Sequence, residues 1–302
     1  MNNIELRRLA FLLCLIFLTA HAAGAQSNRA PVNKLINALR CSDFDWLSHE
    51  GQERYALAVP LTIDGRKYKY QLDTGSPYTF VYGAEAERWG WAKGQKRISV
   101  REMKVGGMNV PAAQLSVKEG MVRGKTDGTL GLDILLGHMV VLDYPGQRFC
   151  LIPKASVPVD LTRRTSWVPA EILKGKFFVK TKIKGLELDH VFFDTGASLV
   201  PLAVDFESWK TLTGRASEAE ATTKITVNSW GKRVPLVGAP ATGALEIGNI
   251  RMEQLVIYYW GHEPGFFRKW FHPATGLIGN LPFWNEVVVL DLGERPAFGI
   301  LR

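Results

Sequence analysis

Tyr68-Lys69-Tyr70-Gln71-Leu72-Asp73-Thr74-Gly75-Ser76 and Val191-Phe192-Phe193-Asp194-Thr195-Gly196-Ala197-Ser198 decide the fold, because one tripeptide recurs half a chain apart in the same setting. A lone Asp-Thr-Gly arises by chance in about one chain in twenty of this length. Here each copy ends a strand-like run, residues 67–72 and 188–193. Each run follows a turn, Ile63-Asp64-Gly65 or Ile183-Lys184-Gly185. Each copy therefore reads as a hairpin with an acidic loop at the tip of its second strand. Further on, each half carries an apolar pair closed by glycine, Leu130-Gly131 and Leu277-Ile278-Gly279. Each half then ends on a β-branched run into aspartate, Val140-Val141-Leu142-Asp143 and Val287-Val288-Val289-Leu290-Asp291. The repeated order predicts a duplicated β-lobe.

These residues resemble the aspartic proteases, the pepsin and retropepsin clan, and the likeness in motif order spans nearly all of the chain after its first 25 residues. It implies an all-β fold with two lobes in one chain and a cleft between them. It also implies that Asp73 and Asp194 are the catalytic pair. Thr74 and Thr195 are then expected to hydrogen-bond across to the opposite loop. Gly75 and Gly196 leave room for backbone amides to reach the carboxylates. Ser76 is placed to hydrogen-bond Asp73, whereas Ala197, at the matching place, has no hydroxyl to offer. That alanine resembles retropepsins more than pepsin. The apolar-Gly pairs are expected to pack beneath the loops.

The chemistry needs two carboxyl groups. Like charges at contact distance do not both ionise, so such a pair holds one proton. The ionised member takes a proton from water and the protonated member donates to the peptide carbonyl. The pair titrates as a unit. A monomer is expected, since both halves are in one chain. No cofactor and no metal are expected: the six histidines have no ligand spacing and no His-Glu-x-x-His occurs. A Gly-x-Ser-x-Gly elbow is also absent from the sequence.

The 302 residues suffice for two cores. Residues 1–25 read as a signal peptide: Arg7-Arg8, an apolar run over 9–20, then Ala23-Gly24-Ala25 before Gln26. The alternative, a membrane anchor, meets a run too short for a comfortable span. The expected location is outside the cytoplasm, periplasmic or secreted, with no stable membrane insertion after cleavage. Cys14 lies in the removed run, which leaves Cys41 and Cys150 either to pair in an oxidising compartment or to stay as separate buried thiols. The net charge of +8 falls to +7 when Arg7, Arg8 and Glu5 are removed. That surplus is scattered, and no basic helix or aromatic-basic motif points to nucleic acid.

The expected layout is an N-terminal lobe over 26–155, a linker over 156–168 and a C-terminal lobe over 169–302. A short helix is predicted near 32–39, a helical turn over 83–89 and a helix over 204–212. Residues 98–105 and 110–117 read as strands about a Gly106-Gly107 turn. Pepsin-like enzymes close over substrate with a tyrosine-bearing hairpin, yet no tyrosine lies between Trp89 and Gly131. The flap is therefore expected at Trp91, at Gly106-Gly107, or in lobe two around Trp230-Gly231. The function expected is an exported aspartic endopeptidase acting on a peptide or protein substrate. The alternative is a catalytically silent peptide- or glycan-binding protein on the same fold.

Overall fold

The computed structural model describes residues 29–88, 90, 94–111, 113–119, 125–229 and 231–302. Residues 29–38 are helical. The signal-peptide reading of 1–25 lies outside the described residues. Arg40–Leu301 forms one compact unit, described from here on.

The duplication is visible strand by strand. In lobe one, Gln52–Ile63 and Arg66–Leu72 pair antiparallel; in lobe two, Lys176–Ile183 and Leu186–Phe193 do. Gly128–Leu130 lies parallel to Arg66–Leu72, and Gly276–Ile278 lies parallel to Leu186–Phe193. Phe80–Tyr82 runs parallel to Ala113–Lys118, as Leu202–Val204 does to Val256–Trp260. The small hairpins Met103–Val105/Met108–Val110 and Leu245–Ile247/Ile250–Met252 complete the match. This is the bilobal all-β fold, and the repeated motifs occupy equivalent positions in it.

A base sheet joins the lobes. Its order is Ser42–Asp43, Arg148–Pro153, His138–Asp143, Val287–Asp291, Ala297–Leu301, Thr165–Leu173. The two β-branched runs that close the halves pair with each other at its centre, with Val141 opposite Val289. Both faces of these strands are covered, so the runs are apolar without alternation. Cys41 and Cys150 form a disulfide that ties the segment ahead of the base sheet to a strand of lobe one, closing a loop of 109 residues. Loop closure of that length removes enough unfolded-chain entropy for roughly 4–5 kcal/mol of stabilisation.

Three local expectations change. The stretch 98–105 is two strands, Arg97–Val100 and Met103–Val105, because Asp64 captures the N–H groups of Arg101 and Glu102 between them. The stretch 156–168, expected as a linker, contains the helix Val159–Arg164 and the start of a base strand. Pro158 and the Arg163-Arg164 pair, which suggested a break, stand ahead of that helix and in its last turn. The helix over 204–212 runs Phe206–Thr213, capped at its end by Gly214 in the left-handed conformation.

Candidate active site

Each acidic loop hangs from the apolar-Gly strand beside it. The Asp73 N–H donates to the Leu130 carbonyl (3.0 Å), and the Asp194 N–H donates to the Ile278 carbonyl (2.9 Å). Behind each aspartate the chain turns tightly, with Ser76 N–H to Asp73 carbonyl and Ala197 N–H to Asp194 carbonyl, both at 3.1 Å. A side chain on Gly131 would collide with the Tyr78 carbonyl, and one on Gly279 with the Ala197 carbonyl. Both glycines are therefore required by close packing beneath the loops.

The loops are then cross-tied. The Thr74 N–H donates to Thr195 Oγ1 (2.9 Å) and the Thr195 N–H donates to Thr74 Oγ1 (3.0 Å). Each hydroxyl also donates across the divide, Thr74 to the Phe193 carbonyl (2.8 Å) and Thr195 to the Leu72 carbonyl (3.0 Å). Both threonines are fully buried, so these bonds operate where water does not compete.

The lock brings the Asp73 and Asp194 carboxyls to one cleft, each against the glycine of the opposite loop. A Cβ on Gly196 would lie 2.7 Å from the Asp73 carboxyl carbon, and one on Gly75 would overlap the Asp194 carboxyl. Burial raises Asp73 well above the usual carboxylate range, and the adjacent Asp194 charge adds to that rise. Burial raises Asp194 as well. It is pulled back by the Lys176 ammonium, by the N–H of Gly196, by the hydrogen bond from Asp73 and by the N–H of Gly75. The arrangement favours a proton on Asp73, donated to an ionised Asp194.

Two neighbours of the pair differ between the lobes. The Ser76 hydroxyl donates to the Tyr78 carbonyl (2.7 Å), and it is the backbone of Ser76 that eases ionisation of the Asp73 carboxyl. A side chain beginning a tight turn reaches the next carbonyl more easily than the carboxylate behind it. Asn280, in lobe two, donates from Nδ2 to the Thr195 carbonyl (2.7 Å) and accepts from the Tyr144 hydroxyl (2.7 Å), pinning the Asp194 loop to the base. The matching residue of lobe one is Leu132, which contributes only its backbone N–H, to the Ser76 carbonyl.

The pair opens on a cleft of about 430 Å³, lined among others by His49, Tyr55, Lys125, Leu199, Asn228 and Gly231. Two hairpins meet above it. One joins Asp45–His49 to Gln52–Ile63 in lobe one; the other joins Thr223–Ser229 to Lys232–Pro240 in lobe two. The Asn228 N–H donates to the Tyr55 hydroxyl (3.0 Å), and Arg233 pairs with Glu50 (3.0 Å). Of the expected flap positions that fall among the described residues, the lobe-two hairpin around Gly231 borders the cleft. The Gly106-Gly107 turn packs on the Phe149 ring instead and donates to the Pro60 carbonyl. Trp91 and Trp230 lie outside the described residues. The other hairpin lies inside the lobe expected over 26–155, and its first strand, Asp45–His49, carries no apolar/polar alternation that could have announced it.

Sequence reading also missed Lys176. It opens the first paired strand of lobe two and is buried. Its ammonium donates to the Gly75 carbonyl of lobe one and lies over the rings of Phe192 (4.8 Å) and Phe271 (4.9 Å).

No protein-family model and no curated protein matches the sequence. Among solved structures the chain is similar to basic 7S globulin from soybean, at 12% identity and a TM-score of 0.51, over 86% of this chain and 93% of that one. At that identity the likeness shows the fold alone. It is the pepsin-like class of bilobal β-protein.

Proposed function

We propose that this chain is an exported endopeptidase of the aspartic class, with Asp73 and Asp194 as its catalytic pair. The observation that supports the reading is that Asp73 and Asp194, one from each lobe, line the same cleft. Asp194, ionised, takes a proton from the attacking water. Asp73, protonated, gives its proton to the carbonyl oxygen as the tetrahedral centre forms. Thr74 and Thr195 tie the two loops to each other, so the carboxyls are pre-positioned and reaction requires little rearrangement. The Cys41–Cys150 disulfide fits a protein that matures in an oxidising compartment, periplasmic or extracellular. Among the described residues no helix is long and apolar enough to cross a membrane.

The test is cleavage of a mixed peptide library, from about pH 3 to about pH 7, with and without pepstatin. Cleavage that pepstatin blocks, and that Asp73→Asn and Asp194→Asn each remove, supports the reading. A second reading is favoured by one specific feature, the Lys176 cation near the pair. A cation strong enough to keep both carboxyls ionised leaves no shared proton, and the cleft then binds peptide or glycan without cutting. Binding without cleavage in all three proteins is the result that reading predicts.

A further inference from the structure

The register of the two lobes identifies Lys176 as an intrusion into an otherwise matched site. Ala58 stands opposite Gln71, two residues before Asp73; Phe178 stands opposite Phe192, two residues before Asp194. Counting back two residues in each strand, Lys176 occupies the place that Ala56 holds in lobe one. Ala56 is buried and small. At the equivalent place, lobe two sets a buried cation among aromatic rings, reaching across to the loop of the other lobe.

Its partner there is informative. The Gly75 carbonyl that accepts from Lys176 belongs to the peptide unit whose N–H, on Ser76, donates to the Asp73 carbonyl (3.1 Å) and eases ionisation of the Asp73 carboxyl. A cation on the oxygen of a peptide polarises its N–H and makes it a stronger donor. The same ammonium acts on both carboxyls through space, because Asp194 and Asp73 are the two charged groups that bear on it. The other elements packed against it present rings, Phe192 and Phe271. His49, Tyr55 and Lys125 line the cleft into which the carboxyls open.

Resting on the proposed endopeptidase reading, we propose that Lys176 is a positioning residue for the carboxyl pair: it compensates the single negative charge of the active pair and sets the pH range over which that charge exists. The sign follows from the cation. It favours ionisation of the pair, so it moves both limbs of the activity profile to lower pH. The protein is thereby suited to acid conditions more than the same pair would be without the lysine.

The experiment compares wild type, Lys176→Met and Lys176→Arg. For each, kcat/KM on a peptide substrate is profiled from about pH 3 to about pH 8, and the carboxyls are titrated by NMR on [13Cγ]aspartate-labelled protein. In Lys176→Met the acid limb and the first carboxyl step move up together by about one pH unit. Lys176→Arg, which keeps the charge, leaves both near their wild-type positions. A Met variant with both unmoved overturns the proposal. Turnover absent in every protein, with the carboxyl step still displaced in Lys176→Met, sinks the peptidase reading and leaves this inference standing. Should the Met variant not fold, wild type is compared with Asp194→Asn by the 13Cε signal of Lys176. The amine then loses its proton at lower pH in the Asn variant, and an unchanged titration overturns the proposal.

Discussion

The two lobes carry the same tripeptide on different supports. In lobe one, the strand Arg66–Leu72 alternates, with Tyr68, Tyr70 and Leu72 buried and Lys67 and Lys69 exposed. In lobe two, Val191, Phe192 and Phe193 are all buried before Asp194. The difference comes from what covers the second face. Phe193 packs edge-on to Phe283 and Phe298 on one side, while Phe192 meets Phe267 and Phe271 on the other. Those last two rings come from the stretch between Val256–Trp260 and Gly276–Ile278. Asp194 therefore stands on a strand enclosed on both sides, next to a buried lysine and pinned by Asn280. Asp73 stands on a half-open strand, and it is Asp194 whose carboxyl accepts from a backbone donor, the Gly196 N–H (2.8 Å). Matched geometry with unmatched surroundings is how two chemically identical residues take different protonation states.

The largest expected effect is on turnover. Asp73→Asn and Asp194→Asn each lower kcat/KM by at least about 100-fold, since acid-base catalysis contributes that much or more. Peptide cleavage assays with each variant check this, and a variant that retains activity shows that the lobes do not share the reaction. Next comes the disulfide, which touches only lobe one and its side of the base. Replacing Cys41 and Cys150 together by serine lowers unfolding free energy by about 2–5 kcal/mol in a denaturant titration. Amide exchange in the same variant rises first near Ser42–Asp43 and Arg148–Pro153; equal loosening of lobe two breaks the comparison.

The cross-tie sharpens it from the other direction. Thr74→Val and Thr195→Val each remove a hydroxyl that donates to one carbonyl and accepts from one N–H, so each costs about 1–3 kcal/mol in the same titration. The two losses are expected to be similar, because the lock is reciprocal even where its surroundings are not. The smallest effect belongs to the meeting of the two hairpins. Arg233→Gln breaks an exposed ion pair with Glu50 worth about 0.2–1 kcal/mol. Its signature is a small change in KM that disappears in high salt, with kcat unchanged.

Much of this comparison could be read from the sequence. The tripeptides, the glycines beneath them and the β-branched closing runs are local signals, and each occupies the place its order in the chain implied. The hidden parts depend on contacts between distant segments. Lys176 reads as one lysine at the head of an ordinary strand; only the fold brings it to Gly75, 101 residues away. Asn280 follows a glycine that was noted, but its role appears only when Thr195 and Tyr144 converge on it. The hairpin that pairs Asp45–His49 with Gln52–Ile63 was missed because its short first strand shows no period-two pattern. The turn between Arg97–Val100 and Met103–Val105 was missed because Asp64, from another hairpin, supplies the bonds that break the run.

The central claim is that one proton is shared between the carboxyls of the two lobes. Titration of wild-type protein labelled at aspartate Cγ, with signals assigned through Asp73→Asn and Asp194→Asn, tests it directly. The account predicts two separated steps, Asp194 losing its proton first and Asp73 keeping its own well above the usual carboxylate range. Two independent steps close together near pH ~3.9, the ordinary value for an aspartate, would contradict it.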